Sequence, residues 1–217
     1  MEIAKLIDHT LLRPDAREQD VRTLCAEARE FGFHSVCVNP HFVEKARALL
    51  RGSGVRVTSV VGFPLGMTLT AVKAYEALNA ALLGAEELDM VINLGALKSG
   101  RWDVVERDIS DVVAVTRGLI HKVIIEACYL DEEEKKRAAG AALEAGADFV
   151  KTSTGFGPGG ARVEDVRLIR AVVGDKAGVK ASGGIRTLAQ AREMVAAGAT
   201  RIGTSRGRDI MEEEMKR

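Results

Sequence analysis

The stretch AGADFVKTSTGFGPGGARVEDVRLIRAVVGDKAGVKASGGIR, residues 145–186, holds two short apolar runs on either side of one amphipathic segment. Phe149 to Thr154 and Val179 to Ser182 are short, open on apolar strand-forming residues and are followed by glycine, as buried strands are. Between them, Val163 to Val173 carries apolar residues at three- and four-residue spacing, the period of one helix face. A strand, a helix and a second strand of the same kind make a crossover between parallel neighbours. Gly146-Ala147, just ahead of the first run, closes the preceding helix, because glycine can adopt the left-handed cap conformation.

Outward from this stretch the same unit repeats, and Gly84-Ala85 and Gly198-Ala199 punctuate it in the same way. Further strands are expected at Asp8 to Leu11, Ser35 to Asn39, Val55 to Gly62, Leu88 to Asn93, Lys122 to Ala127 and Arg201 to Thr204. Helices are expected at Glu18 to Phe31, Phe42 to Leu50, Leu69 to Leu83, Trp102 to Leu119, Asp131 to Ala145, Leu188 to Ala197 and near Arg208. Asp131-Glu132-Glu133-Glu134 falls where acidic residues suit a helix start. Eight strand–helix units in 217 residues favour closure into a (β/α)8 TIM barrel over an open sheet, with residues 1–217 as one domain.

Composition narrows the function. Lys plus Arg and Asp plus Glu are 31 each, so no overall basic field is present to hold nucleic acid or an anionic membrane surface. The N-terminus MEIAKLIDHT lacks the pattern of a signal peptide and no run approaches a membrane span, so a cytoplasmic protein is expected. Cys25, Cys37 and Cys128 are far apart, without a C-x-x-C pair, and read as reduced thiols.

In a barrel of this kind chemistry lies at the C-terminal ends of the strands. Lys151 and Lys180 sit one unit apart on neighbouring strands, each inside an apolar run. A lysine there is costly unless it is paired or snorkels to a rim, so two toward the same end point to a site. Two close ammonium groups disfavour each other's charge, and one amine can then be neutral and nucleophilic near pH 7. Asp89, at the inward phase of ELDMVIN, is placed to hold Lys180 charged and to relay protons; Asp89→Asn is expected to lower turnover with little change in folding. Spacing alone does not divide the roles of the two lysines.

Gly183-Gly184 after the seventh strand and Gly203-Thr204-Ser205-Arg206-Gly207 after the eighth suit phosphate binding by glycine turns and a helix N-terminus, with Ser205 and Arg186 or Arg206 assisting. His9, His34, His41 and His121 form no ligand-spaced pair, so a metal-dependent mechanism is not expected, and no Rossmann glycine fingerprint appears. A different Schiff-base sugar-phosphate barrel enzyme, or a catalytically silent phosphate-binding barrel, remains open on these residues alone.

The motifs IDHTLL, SVCVNP, VVGFPLG, ELDMVINLGALKSG, KVIIEACYL, AGADFVKTSTGFGPGGA, VKASGGIR and RIGTSRG, spread over nearly the whole chain, resemble those of the deoxyribose-phosphate aldolase family. The resemblance implies that Lys151 is the Schiff-base lysine, Lys180 the second lysine and Asp89 the proton-relay acid. It places Gly155, Gly183, Gly184 and Ser205 around a phosphate, Thr154 beside the reacting carbons, and Asp8, Leu12 and Cys37 along the pocket. It implies an aldehyde-lyase that reversibly cleaves 2-deoxy-D-ribose 5-phosphate to D-glyceraldehyde 3-phosphate and acetaldehyde, with no metal and no organic cofactor, as a homodimer or homotetramer. Some members carry a terminal tyrosine that reaches the site; this chain closes on EEEMKR, so that residue does not carry over.

Overall fold

The computed structural model describes residues 2–216. Eight parallel strands, β1 (Ile7–Leu11), β2 (Ser35–Val38), β3 (Arg56–Val61), β4 (Glu87–Val91), β5 (Ile120–Ile124), β6 (Phe149–Lys151), β7 (Gly178–Ser182) and β8 (Arg201–Thr204), follow one another around a closed barrel. The barrel closes where β1 pairs with β8, Asp8 opposite Gly203 and His9 opposite Thr204. Helices α1 (Glu18–Phe31), α2 (Val43–Leu50), α3 (Thr70–Leu82), α4 (Leu94–Lys98), α5 (Trp102–Val115), α6 (Glu132–Glu144), α7 (Val163–Val173), α8 (Leu188–Ala196) and α9 (Gly207–Met215) lie in the connections and after β8. No helix among the described residues is long and apolar enough to cross a membrane.

Strand side chains alternate between two environments. Outward-facing Val36, Val57, Leu88, Met90, Val123, Val150, Val179 and Ile202 join the helices in one buried apolar core. The intervening residues point into the barrel, and there the filling is largely ionic: Asp8, Glu87, Asp89, Lys122, Lys151, Lys180 and Arg201 are all buried. The hydrophobic stabilisation of the fold therefore resides between sheet and helices, leaving the barrel axis for charge.

The glycines of the three helix-closing Gly-Ala pairs all have positive φ, as their cap role requires. The acidic start of α6 is a capping box: Asp131 accepts from the Glu134 amide at 2.8 Å and Glu134 accepts from the Asp131 amide at 2.9 Å. Several expected boundaries shorten. The helix expected to run to Leu119 stops at Val115, where the Thr116 hydroxyl donates to the Val112 carbonyl, competing with the backbone ladder, and also meets His121. The strand expected to reach Asn93 ends at Val91, because Asn93 accepts from the Ala96 amide and starts the short α4. The strand expected to reach Thr154 ends at Lys151, and the Thr154 amide turns away to a carboxylate on the neighbouring connection.

Candidate active site

The register places Lys151 opposite Lys180 across β6 and β7, and Asp89 opposite Lys122 across β4 and β5. Inward phase brings all four together. One oxygen of Asp89, Oδ2, accepts from Lys151 Nζ at 2.7 Å and from Lys180 Nζ at 2.7 Å, while Oδ1 accepts from Lys122 Nζ at 2.8 Å. Below this, Lys180 forms an ion pair with Asp8 at 2.5 Å, and Lys122 one with Glu87 at 2.7 Å. Arg201 joins Asp8 at 3.0 Å to Glu87 at 2.8 Å, and the Ser35 hydroxyl donates to Asp8 at 2.7 Å.

Four buried cationic side chains, Lys122, Lys151, Lys180 and Arg201, thus share three carboxylates, Asp8, Glu87 and Asp89. With every group ionised, the cluster carries one excess positive charge in a dry interior, a costly state. The lysine with the fewest anionic partners is Lys151, which meets only Asp89. Burial, reinforced by the neighbouring Lys180 charge and opposed by Asp89, pushes its amine below the usual lysine range. Lys180 goes the other way: burial works against its charge, but Asp8 and Asp89 outweigh it and raise its pKa. Asp89 is also buried, yet Lys122, Lys151 and Lys180 hold it well below the ordinary carboxylate range. Loss of a proton from Lys151 leaves three cations against three anions.

Lys151 also differs in access. It lies on the wall of a pocket of about 330 Å³ at the C-terminal end of the barrel, with Thr154, Gly155, Gly183, Gly184, Arg186 and Ser205 among the residues around it. Lys180 and Asp89 lie beneath. Gly155, Gly183 and Gly184 have φ of +86°, +91° and +80°, and a Cβ built on Gly184 would meet nothing within 4 Å, so bare backbone faces the pocket there. Leu12 is on the same wall.

Two residues expected along the pocket lie elsewhere. Asp8 is not on the wall but one layer down, drawn inward by Lys180 and Arg201. Cys37 is fully buried on the inward face of β2, in a small apolar cluster with Leu12 and Val60 and near the Asp89 and Lys180 charges, and burial together with the Asp89 charge pushes its thiol up to about 11. Glu87, Lys122, Arg201 and Ser35 were not singled out from the sequence. The two-residue phase that marks Asp89 extends to Glu87, but which inward residues of distant strands meet is set by barrel closure. Asp8, His34 and Glu87 are the one group among the described residues whose ligand atoms lie close enough, within 4.8 Å of one another, to hold a metal. Their oxygens already serve Lys122, Lys180 and Arg201, so a cation there would face three others.

A parallel barrel with a pocket-facing amine of lowered pKa at the end of β6, and glycine turns after β6 and β7, has the parts that a lysine-dependent barrel enzyme acting on an anionic substrate needs. Comparison with known proteins agrees. The model of the DeoC/LacD family aldolases matches residues 3–213. The deoxyribose-phosphate aldolase of Carboxydothermus hydrogenoformans is 60% identical over 97% of this chain and 94% of its own length. That of Thermococcus gammatolerans is 60% identical over 98% and 96%. Among solved structures, an aldolase named QR15 superposes with a TM-score of 0.96 at 46% identity, covering 100% of this chain and 97% of its own. The tetrameric deoxyribose phosphate aldolase of Aeropyrum pernix gives 0.92 at 38%, covering 98% and 91%. The chain belongs to the DeoC/LacD family of aldolases.

Proposed function

We propose that this chain is a class I aldolase that reversibly cleaves 2-deoxy-D-ribose 5-phosphate to D-glyceraldehyde 3-phosphate and acetaldehyde, with Lys151 as the nucleophile. The observation that carries the assignment of Lys151 is the charge imbalance of the buried cluster: four buried cations against three carboxylates, relieved when the one lysine that faces the pocket is neutral. The amine adds to the C1 aldehyde of the open-chain sugar, and loss of water from the carbinolamine gives an iminium. Removal of the C3 hydroxyl proton breaks the C2–C3 bond; its electron pair flows to the iminium, giving an enamine and releasing the three-carbon aldehyde phosphate. Protonation of the enamine at C2 and hydrolysis return acetaldehyde and the free amine.

In this reading Asp89 Oδ2, within hydrogen-bonding distance of both Lys151 and Lys180, carries protons between them while the carbinolamine forms and dehydrates. Lys180 stays charged on Asp8 and Asp89. Thr154 sits beside the reacting carbons, Gly155, Gly183, Gly184 and Ser205 receive the phosphate, and Leu12 lines the sugar's path. In this reading the chain is a single domain that works in the cytoplasm, in the catabolism of deoxyribose phosphate. The test is acetaldehyde release from deoxyribose 5-phosphate with a chelator present: full activity is expected with the unmutated protein and none with Lys151→Ala. Activity that vanishes in chelator and returns with zinc rules the mechanism out.

We also assign a homodimer or homotetramer, as the Aeropyrum pernix relative is tetrameric. Tyr75, Leu78 and Leu82 lie on one face of α3 at three- and four-residue spacing, and with Leu65, Met67, Leu69 and Val72 they leave a broad apolar surface exposed. A patch of this kind marks an association site, and a second copy of this chain is the occupant that the relative's assembly supports.

A further inference from the structure

Among the described residues, Glu126 is the one residue other than glycine with a left-handed backbone, φ 48° and ψ 62°. It lies just beyond β5, on the wall of a neighbouring cavity that shares Thr154 and Phe156 with the pocket of Lys151, and is 2% exposed. Its carboxylate makes no ion pair among the described residues; its partners are the Thr154 amide, the Thr154 hydroxyl and the Cys128 thiol. A buried carboxylate without a counter-charge, on a backbone that L residues avoid, persists only where the surroundings fix it, and such outliers gather at working sites.

What it holds is the turn after Lys151. Where β6 ends, the Thr154 amide donates to both Glu126 oxygens, each at 3.2 Å, and the Thr154 hydroxyl donates to Oε2. The same hydroxyl oxygen accepts from the Phe156 amide at 3.0 Å, so one carboxylate sets the backbone on both sides of Gly155. The main chain flanking Glu126 is tied to the strand that carries the nucleophile: the Ile125 amide donates to Lys151 O at 3.0 Å and the Ala127 amide to Thr152 O at 2.9 Å. A Cβ on Gly157 would stand 3.3 Å from the Glu126 carboxyl carbon, so the turn rests directly on this side chain.

We infer that Glu126 is a positioning residue: acting through Thr154, it fixes the turn that carries Gly155 in the pocket wall and thereby sets the preference for a phosphorylated over an unphosphorylated sugar. This rests on the proposed function, since it takes the glycine turns as the phosphate site and Lys151 as the nucleophile. The physical reason is that backbone groups recognise an anion only when held in place, and a charge-assisted hydrogen bond holds a turn more firmly than a neutral one.

Two variants test it. Glu126→Gln keeps the size and loses the charge; Glu126→Gly adopts the left-handed backbone without strain and removes the anchor. Steady-state kinetics on deoxyribose 5-phosphate and on deoxyribose are read beside borohydride trapping of acetaldehyde, with peptide mapping. For both variants KM for the phosphorylated sugar is expected to rise about tenfold or more, the effect of losing a hydrogen bond to a charged group. Activity on deoxyribose and trapping at Lys151 should fall clearly less than activity on the phosphorylated sugar. An unchanged preference, or equal loss on both sugars and in trapping, overturns the inference, as does failure of both variants to fold by circular dichroism. If only one folds, that one decides. Absence of a Lys151 adduct in the unmutated protein would instead overturn the proposed function, so the two failures are distinguishable.

Discussion

At the scale of single residues the site is a contest over protons among Lys151, Lys180 and Asp89. Adduct formation needs neutral Lys151, so its rate rises with pH through the lowered pKa of that amine and levels above it. Lys180 is one of the charges that lower it. In Lys180→Leu the rising limb of adduct formation is therefore expected to move to higher pH, by about one unit for the loss of a close like charge. A limb that stays in place or moves down would remove Lys180 from that role, and an adduct mapped to Lys180 in the unmutated protein would reverse the division of labour. For Asp89 the structure changes the expectation. The sequence suggested that Asp89→Asn would lower turnover with little effect on folding, but this carboxylate accepts from three buried lysines. Removing its charge leaves them short of an anion, so a loss of about 3–5 kcal/mol of stability is expected alongside the loss of turnover. Chemical denaturation and single-turnover kinetics on the same sample separate the two effects.

At the scale of elements, short strands give the site its accuracy and the loops after them give it specificity. Glycine at 184 leaves the backbone after β7 bare and open to the pocket, with φ +80°. Gly184→Asp has room for its side chain and, though strained there, is among the residues that tolerate such a backbone best. It is expected to impair deoxyribose 5-phosphate at least about tenfold more than deoxyribose, because a carboxylate in an anion nest repels phosphate. Equal impairment of both would remove the phosphate assignment. The elements also show how far the sequence could be read. All eight strands and the principal helices were visible in period and punctuation, because burial on one helix face or both strand faces leaves a local pattern. Their ends were less so. Thr116 stops α5 by a hydroxyl-to-carbonyl bond, and β6 stops because Thr154 finds a carboxylate on another connection.

At the scale of the whole molecule, the barrel interior couples folding to pH. Asp8, Glu87 and Asp89 are buried, and their lysine, arginine and histidine partners hold all three below the usual carboxylate range. A carboxylate with a depressed folded pKa contributes its stability fully above its unfolded pKa, about 4, and loses it as pH falls toward the folded value. Denaturant midpoints are therefore expected to fall steeply below about pH 4. A midpoint that stays flat down to pH 2 would contradict the ionic interior. The apolar face of α3 makes a separate prediction. Leu69→Glu combined with Leu82→Glu, both largely exposed, should leave the fold intact and shift sedimentation to the monomer. An assembly that survives both substitutions would place the interface elsewhere.

The sequence by itself determined the repeating strand–helix unit, the closed barrel it implies, and the presence of Lys151, Lys180 and Asp89 on inward phases near one end. Those features are written in local periodicity, which a short window of chain contains. The tertiary structure decided that Asp8 works below the pocket, that Cys37 is fully buried beside the charged cluster, and that Glu87, Lys122 and Arg201 complete the charge balance. These pairings join residues as far apart as Asp8 and Arg201, 193 positions along the chain. No local pattern carries them, because the stagger and closure of the barrel fix which inward side chains share a layer, and the excess of one cation appears only when the layers are assembled.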